Sequence, residues 1–250
     1  MSVATDPRVR ARQVAVAREA GHRRLTWLSV ALCGVALVVT ALVVLHSSLL
    51  SARVVRIQGA LHETRAEILA ATGLGRRPPL ADVSTAADAA ALERLPWVRA
   101  ARVVLDWPTG VTVTISERHP VAFVPLQGGT AALVDAAGRV LSRGVPAPSG
   151  LVALQGFGSV GLPGSRLSGA TQALRLAARR PASLLGRVRA VTASAGSVEV
   201  RLLHGPLVLF GSASSLGAKL TALVTVLAKV PLHGIVTVDL RVPSQPVLTR

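Results

Sequence analysis

Gly156, Gly158 and Gly161 spell G-x-G-x-x-G, the spacing that lets a backbone approach a pyrophosphate at a helix N-terminus. That chemistry needs a strand before the glycines and a helix opening after them. Pro163 and Gly164 follow instead, so the sequence predicts a flexible loop here. The six histidines, at 22, 46, 62, 119, 204 and 233, show no close metal-ligand spacing. His62 and Glu63 are followed by Thr64, Arg65 and Ala66, which leaves a zincin helix incomplete. No serine sits in a G-x-S-x-G elbow. Among the acids, Asp82, Asp88, Asp106, Asp135 and Asp239 fall at expected caps, turns or strand ends. Glycoside hydrolysis needs two carboxylates across a cleft, and nothing sets such a pair beside an aromatic sugar platform. The residues nominate no catalytic set, no metal site and no cofactor site.

Charge points elsewhere than catalysis. The net charge is +16, carried by 28 Lys and Arg against 12 Asp and Glu. Lysine occurs only at 219 and 229, and beyond the N-terminal tail the arginines are scattered rather than clustered. Tyrosine is absent, and phenylalanine is limited to Phe123, Phe157 and Phe210, so platforms for stacking bases are scarce. Nucleic-acid binding is therefore disfavoured. An anionic lipid surface or a cell-wall polymer suits the charge better.

The residues must be positioned relative to a membrane. Trp27 to Leu45 contains no charge, and Arg8, Arg10, Arg12, Arg18, Arg23 and Arg24 precede it. At ~1.5 Å per residue this stretch spans ~28 Å, close to a bilayer's hydrocarbon core. Only Asp6 and Glu19 offset the tail arginines, so the positive-inside rule puts the N-terminus in the cytoplasm. A cleaved signal peptide would have a shorter apolar core and a small-x-small site. Here the uncharged stretch runs from Leu25 to Ala52 without one. The expected anchor includes Trp27, Leu28, Gly34, Val38, Leu42 and Leu45. It carries no ionisable residue to mark an ion path, and Gly34 has no second glycine four residues away to make a GxxxG contact. The only cysteine, Cys33, lies within the anchor, so no disulfide is expected outside it.

Beyond the anchor, Arg53 to Gln58 alternates as a strand and stops at Gly59. Thr64 and Glu67 form a capping box for one helix, and Thr85 with Asp88 signals a second, running through Leu92 and Leu95 to Pro96. Val98–Leu105 and Val111–Ile115 are alternating strands joined by turn residues 106–110. The order is β-α-α-β-β. Strands are then expected at 121–126, 131–134 and 140–142, with a loop over 145–168 and a helix around 174–178. An antiparallel meander over 188–210, an amphipathic helix over 216–230 and closing strands at 235–240 and 246–249 follow.

Six motif groups add a resemblance. They are Leu95-Pro96-Trp97-Val98; Trp107-Pro108; Glu117-Arg118-His119-Pro120-Val121-Ala122; Leu133-Val134-Asp135 with Gly138; and Leu209-Phe210-Gly211 with Lys219-Leu220, followed by Val238-Asp239-Leu240-Arg241. In order and spacing, the set closely resembles the FtsQ/DivIB family of bacterial cell-division proteins. The resemblance implies a POTRA domain, then a strand-rich β domain, without catalytic activity. It implies a scaffold at the septum linking early and late division proteins and binding FtsB- and FtsL-like partners. It also places partner contact on a closing edge strand, at Arg241, Val242, Ser244, Val247 and Leu248. Better-known members often carry aromatics there, whereas this chain has Val242. Pro243 and Pro246 remove two backbone donors from that edge.

The expected fold is α+β: a single transmembrane helix, a POTRA domain and a strand-rich β domain with one long packed helix. The expected divisions are a cytoplasmic basic tail over 1–24, a signal anchor over 25–50, a POTRA domain over 53–119 and a β domain over 120–250. Trp97 and Trp107 are expected to pack between helix and sheet, and Glu117 to pair with Arg118. A POTRA-type secretion factor would need a following barrel, and too little chain remains for one. An anchored cell-wall enzyme would need the missing acid/base or nucleophile set.

Overall fold

A computed structural model describes residues 27–194 and 196–250. The expected basic tail, and residues 25–26 of the expected anchor, lie outside them. Two compact units divide the chain. One takes the chain up to Arg56 with Gly73–Thr85 and Val104–Thr112; the other takes Ile57–Thr72, Ala86–Val103 and Val113–Arg250.

Helix α1, Trp27–Leu45, has 19 residues and a mean hydropathy of 2.8, and none of it is buried inside the protein. A helix apolar on every side and without protein cover suits lipid rather than water. It fits a single-pass membrane anchor. His46 N and Ser47 Oγ bond back to the Leu42 and Val44 carbonyls, and a 3-10 turn over Ser48–Leu50 follows. Ser51 then bridges Pro79, and Ala52 N donates to the Pro78 carbonyl.

Strand β1 (Val54–Gln58), helices α2 (Arg65–Thr72) and α3 (Thr85–Leu92), and strands β2 (Val98–Asp106) and β3 (Gly110–Glu117) give the β-α-α-β-β order, with the sheet ordered β1-β3-β2. The α2 capping box forms: Thr64 N donates to Glu67 Oε2 at 2.8 Å, and Glu67 N to Thr64 Oγ1 at 3.3 Å. At α3 the expectation is one residue out. Thr85 is the first helical residue, so Ser84 holds the N-cap position. Helix α3 also stops at Leu92, and a looser turn carries the chain to Leu95 through Leu95 N to Leu92 O. Gly59 sits at φ +81°, and a Cβ there would collide with the Ile115 carbonyl oxygen.

The remaining strands are β4 (Pro120–Pro125), β5 (Thr130–Asp135), β6 (Val140–Pro146), β7 (Val152–Gln155), β8 (Val188–Ser194), β9 (Ser197–Leu202), β10 (Leu207–Gly211), β11 (Thr237–Asp239) and β12 (Val247–Thr249). They form one sheet in the order β12-β11-β10-β9-β8-β7-β4-β5-β6. Helices α4 (Thr171–Arg179) and α5 (Leu216–Lys229) complete the fold. The fold class is α+β.

Strand β7 corrects the expected loop over 145–168. Val152, Ala153 and Leu154 are all buried, and both neighbours, β4 and β8, run parallel to β7. A strand covered on both faces shows no polar alternation, so its sequence does not declare it. Leu174 and Leu176 of α4 and Leu216, Leu220, Leu223 and Val226 of α5 bury against Val191, Val200, Val208 and Phe210 of the sheet. Val224 and Leu227, expected on the packed stripe of α5, are only half-buried.

Candidate partner-binding edge

At one end of the large sheet, β11 pairs parallel with β10 (Val208↔Val238) and antiparallel with β12 (Val238↔Leu248, Asp239↔Val247). Among the described residues β12 has β11 as its sole strand neighbour, so its other edge faces outward. All three β12 residues are exposed, Val247 at 58% and Leu248 at 37%. The five expected contact residues do not all lie on this strand. Val247 and Leu248 do; Arg241, Val242 and Ser244 lie in the turn before it, where Gln245 N closes onto the Val242 carbonyl. The prolines explain the split, because Pro243 and Pro246 cannot donate to a ladder and confine β12 to the last few residues.

Two side chains brace this edge. Asp239 takes Arg241 Nη2 at 2.6 Å and Arg241 N at 2.9 Å, and these Arg241 bonds hold its carboxyl below the usual range. Lys219 of α5 is buried, with Nζ donating to the Phe210 carbonyl at 2.7 Å and the Ser212 carbonyl at 2.9 Å. Burial lowers its pKa, opposed by the Asp239 charge. Gly211 lies between those carbonyls at φ +62°, at the shift in the β9–β10 register, and a Cβ there would press on Arg241. Gly211, Lys219, Asp239 and Arg241, read separately in the sequence, thus meet at one corner.

A second network gathers the other motifs. Arg118 N and Nε donate to the Trp97 and Val98 carbonyls, and Nη1 reaches Asp135 Oδ2 at 2.9 Å. Asp135 Oδ1 accepts from Ala137 N and Arg139 N in the tight turn at Gly138, φ +84°. Arg139 bonds back to the Arg94 and Leu95 carbonyls, just before Pro96. The expected Glu117–Arg118 pair is not formed. Successive strand residues point to opposite faces, and Glu117 instead accepts Leu61 N, His62 N and His62 Nδ1. Burial pushes the Glu117 carboxyl up, but the His62 and Leu61 bonds outweigh it and hold it below 4.5.

His62 stacks on Trp97 with ring centroids 3.7 Å apart, so Trp97 is half-buried as packing. Trp107 is different: it is 51% exposed at the β2–β3 turn beside Pro108. The G-x-G-x-x-G segment does follow a strand, β7, but the next helix opens only at Thr171. Among the described residues no group of three or more His, Cys, Asp or Glu side chains is placed to hold a metal ion.

An apolar N-terminal helix, a POTRA-type β-α-α-β-β module and a large strand-rich sheet define a class of membrane-anchored modular protein. The description of a POTRA domain, FtsQ-type, matches residues 50–118, and that of the cell division protein FtsQ/DivIB C-terminal region matches 122–241. The cell division protein FtsQ of Streptomyces collinus is 31% identical over 241 residues, covering 92% of this chain and 90% of that one. FtsQ of Streptomyces griseus is 29% identical over 198 residues, covering 74% of this chain and 90% of its own. FtsQ of Anaeromyxobacter sp. (strain K) is 38% identical over 100 residues, covering 40% of this chain and 33% of its own. The chain belongs to the FtsQ/DivIB family of cell division proteins.

Proposed function

We propose that this chain is a non-enzymatic scaffold of the bacterial division machinery. It holds a cytoplasmic N-terminus on one side of the membrane and its folded modules, a POTRA domain over 53–119 and a β domain over 120–250, on the other. At the septum it links early and late division proteins, with FtsB- and FtsL-like proteins as its partners. The orientation rests on six tail arginines against Asp6 and Glu19.

One observation carries the binding reading: β12 is a short, wholly exposed strand on the outer edge of the sheet. An incoming extended segment gains backbone hydrogen bonds there, and exposed Val247, Leu248 and Val242 supply apolar contact. Arg241 and Ser244 border the same edge from the preceding turn. Asp239 and Lys219 keep that corner in register rather than touching a partner. Depletion of the protein in its own cell, with microscopy of septa, tests the role. Filamentous cells and loss of FtsB- and FtsL-like proteins from division sites are expected; normal septa with normal recruitment would overturn it.

A further inference from the structure

The compact unit that contains α1 also gathers a basic and aromatic surface beside the helix end. Leu45 closes α1, and of the six residues to Ser51 three lie on a 3-10 turn while Ser47 and Ser51 are extended, so the stretch reaches at most about 17 Å. The polar headgroup layer is about 5–8 Å deep on each side of the hydrocarbon core. Ser51 bridges Pro79 and Ala52 N bonds Pro78, which fastens the Arg76-Arg77 pair directly to this stretch. Arg53 N and Val54 N both donate to the Thr109 carbonyl, which fastens the turn bearing Trp107 to the same place. Arg76 and Arg77 are exposed, and no carboxylate lies within ion-pair distance of either among the described residues. Among the described residues the two acids of this unit are otherwise engaged, Asp82 with His46 at 3.3 Å and Asp106 with Arg56 at 3.9 Å. Leu49 is 66% exposed and Trp107 51% exposed on the same unit.

We infer that this face docks on the membrane that α1 spans, with Arg76 and Arg77 on the phosphates of anionic lipid headgroups and Trp107 in the interfacial layer. Guanidinium groups bind phosphate oxygens bidentately, and an amphipathic indole favours the boundary between headgroup and acyl chain. Protein partners fit less well, because a spanning α1 would keep this face within reach of lipid at high effective concentration. Docking removes the hinge freedom that a bare helical tether would leave. The inference rests on reading α1 as a membrane span.

The test reconstitutes the full chain into nanodiscs of phosphatidylcholine, with or without phosphatidylglycerol. Trp107 emission is read as the difference between the wild type and Trp107→Leu. Blue-shifted emission, quenched by brominated acyl chains in the anionic discs, is the expected result. Each basic side chain near an anionic surface shifts docking about fivefold, so Arg76→Gln with Arg77→Gln lowers the docked-to-undocked ratio about 25-fold. Arg76→Lys with Arg77→Lys keeps the charge and most of the docking, and added salt weakens the wild type without any substitution. Trp107 emission indifferent to lipid charge, or shielded only when a partner protein is added, overturns the inference. Co-flotation of the chain with lipid tests the span separately.

Discussion

Asp135 serves three donors with two oxygens: Arg118 Nη1 on one, and Ala137 N and Arg139 N on the other. Its side chain is 7% exposed and that of Arg118 19%, so removing the carboxylate strands a mostly buried guanidinium. Asp135→Ala is expected to cost about 3 kcal/mol, measured by urea unfolding of the full chain in micelles. Asp135→Asn keeps an acceptor for the turn amides and is expected to cost about half as much; equal losses would show that the turn bonds contribute nothing, and an Asn variant as stable as the wild type would show that the ion pair contributes nothing. Glu117 makes a pH prediction. Its folded pKa lies below the ordinary 4.5, so its stabilisation is complete above that value and is lost as pH falls through the folded pKa. Glu117→Gln should therefore flatten the acid limb of a stability-versus-pH curve, while the wild type loses stability below about 4.5.

At the scale of elements, β12 is the strand whose removal separates binding from folding. Its residues are exposed, so truncation after Gln245, which keeps the Arg241–Asp239 pair, should leave the sheet core and the melting temperature little changed. Two or three backbone hydrogen bonds at about 1 kcal/mol each amount to roughly 30- to 150-fold in affinity. Pull-down of the FtsB-like partner should weaken by that factor, and undiminished capture would move the contact away from this edge. The elements also differ in how far their residues announce them. The α2 capping box and the alternation of β2 and β3 were legible because each reports a local bond or a half-exposed face. Strand β7 was not, because its burial comes from β4 and β8, which lie far from it in sequence. The candidate edge was half legible: Val247 and Leu248 lie on β12, but Arg241, Val242 and Ser244 were displaced into a turn by two prolines.

For the whole molecule, the arrangement across the membrane has its own test. An N-terminal tag should resist external protease in spheroplasts while a C-terminal tag is removed, and the reverse pattern would invert the proposed topology. The sequence alone determined the apolar span, the β-α-α-β-β order and the motif set that points to the family, because hydropathy, periodicity and turn chemistry act over neighbouring residues. Only the tertiary structure decided partners that are distant along the chain. Arg118 turned from adjacent Glu117 to Asp135, Lys219 met carbonyls on both sides of Gly211, and Trp107 remained outside the core. The physical reason is that strand pleat and sheet order set which side chains share a face, and those depend on pairings the local sequence does not encode.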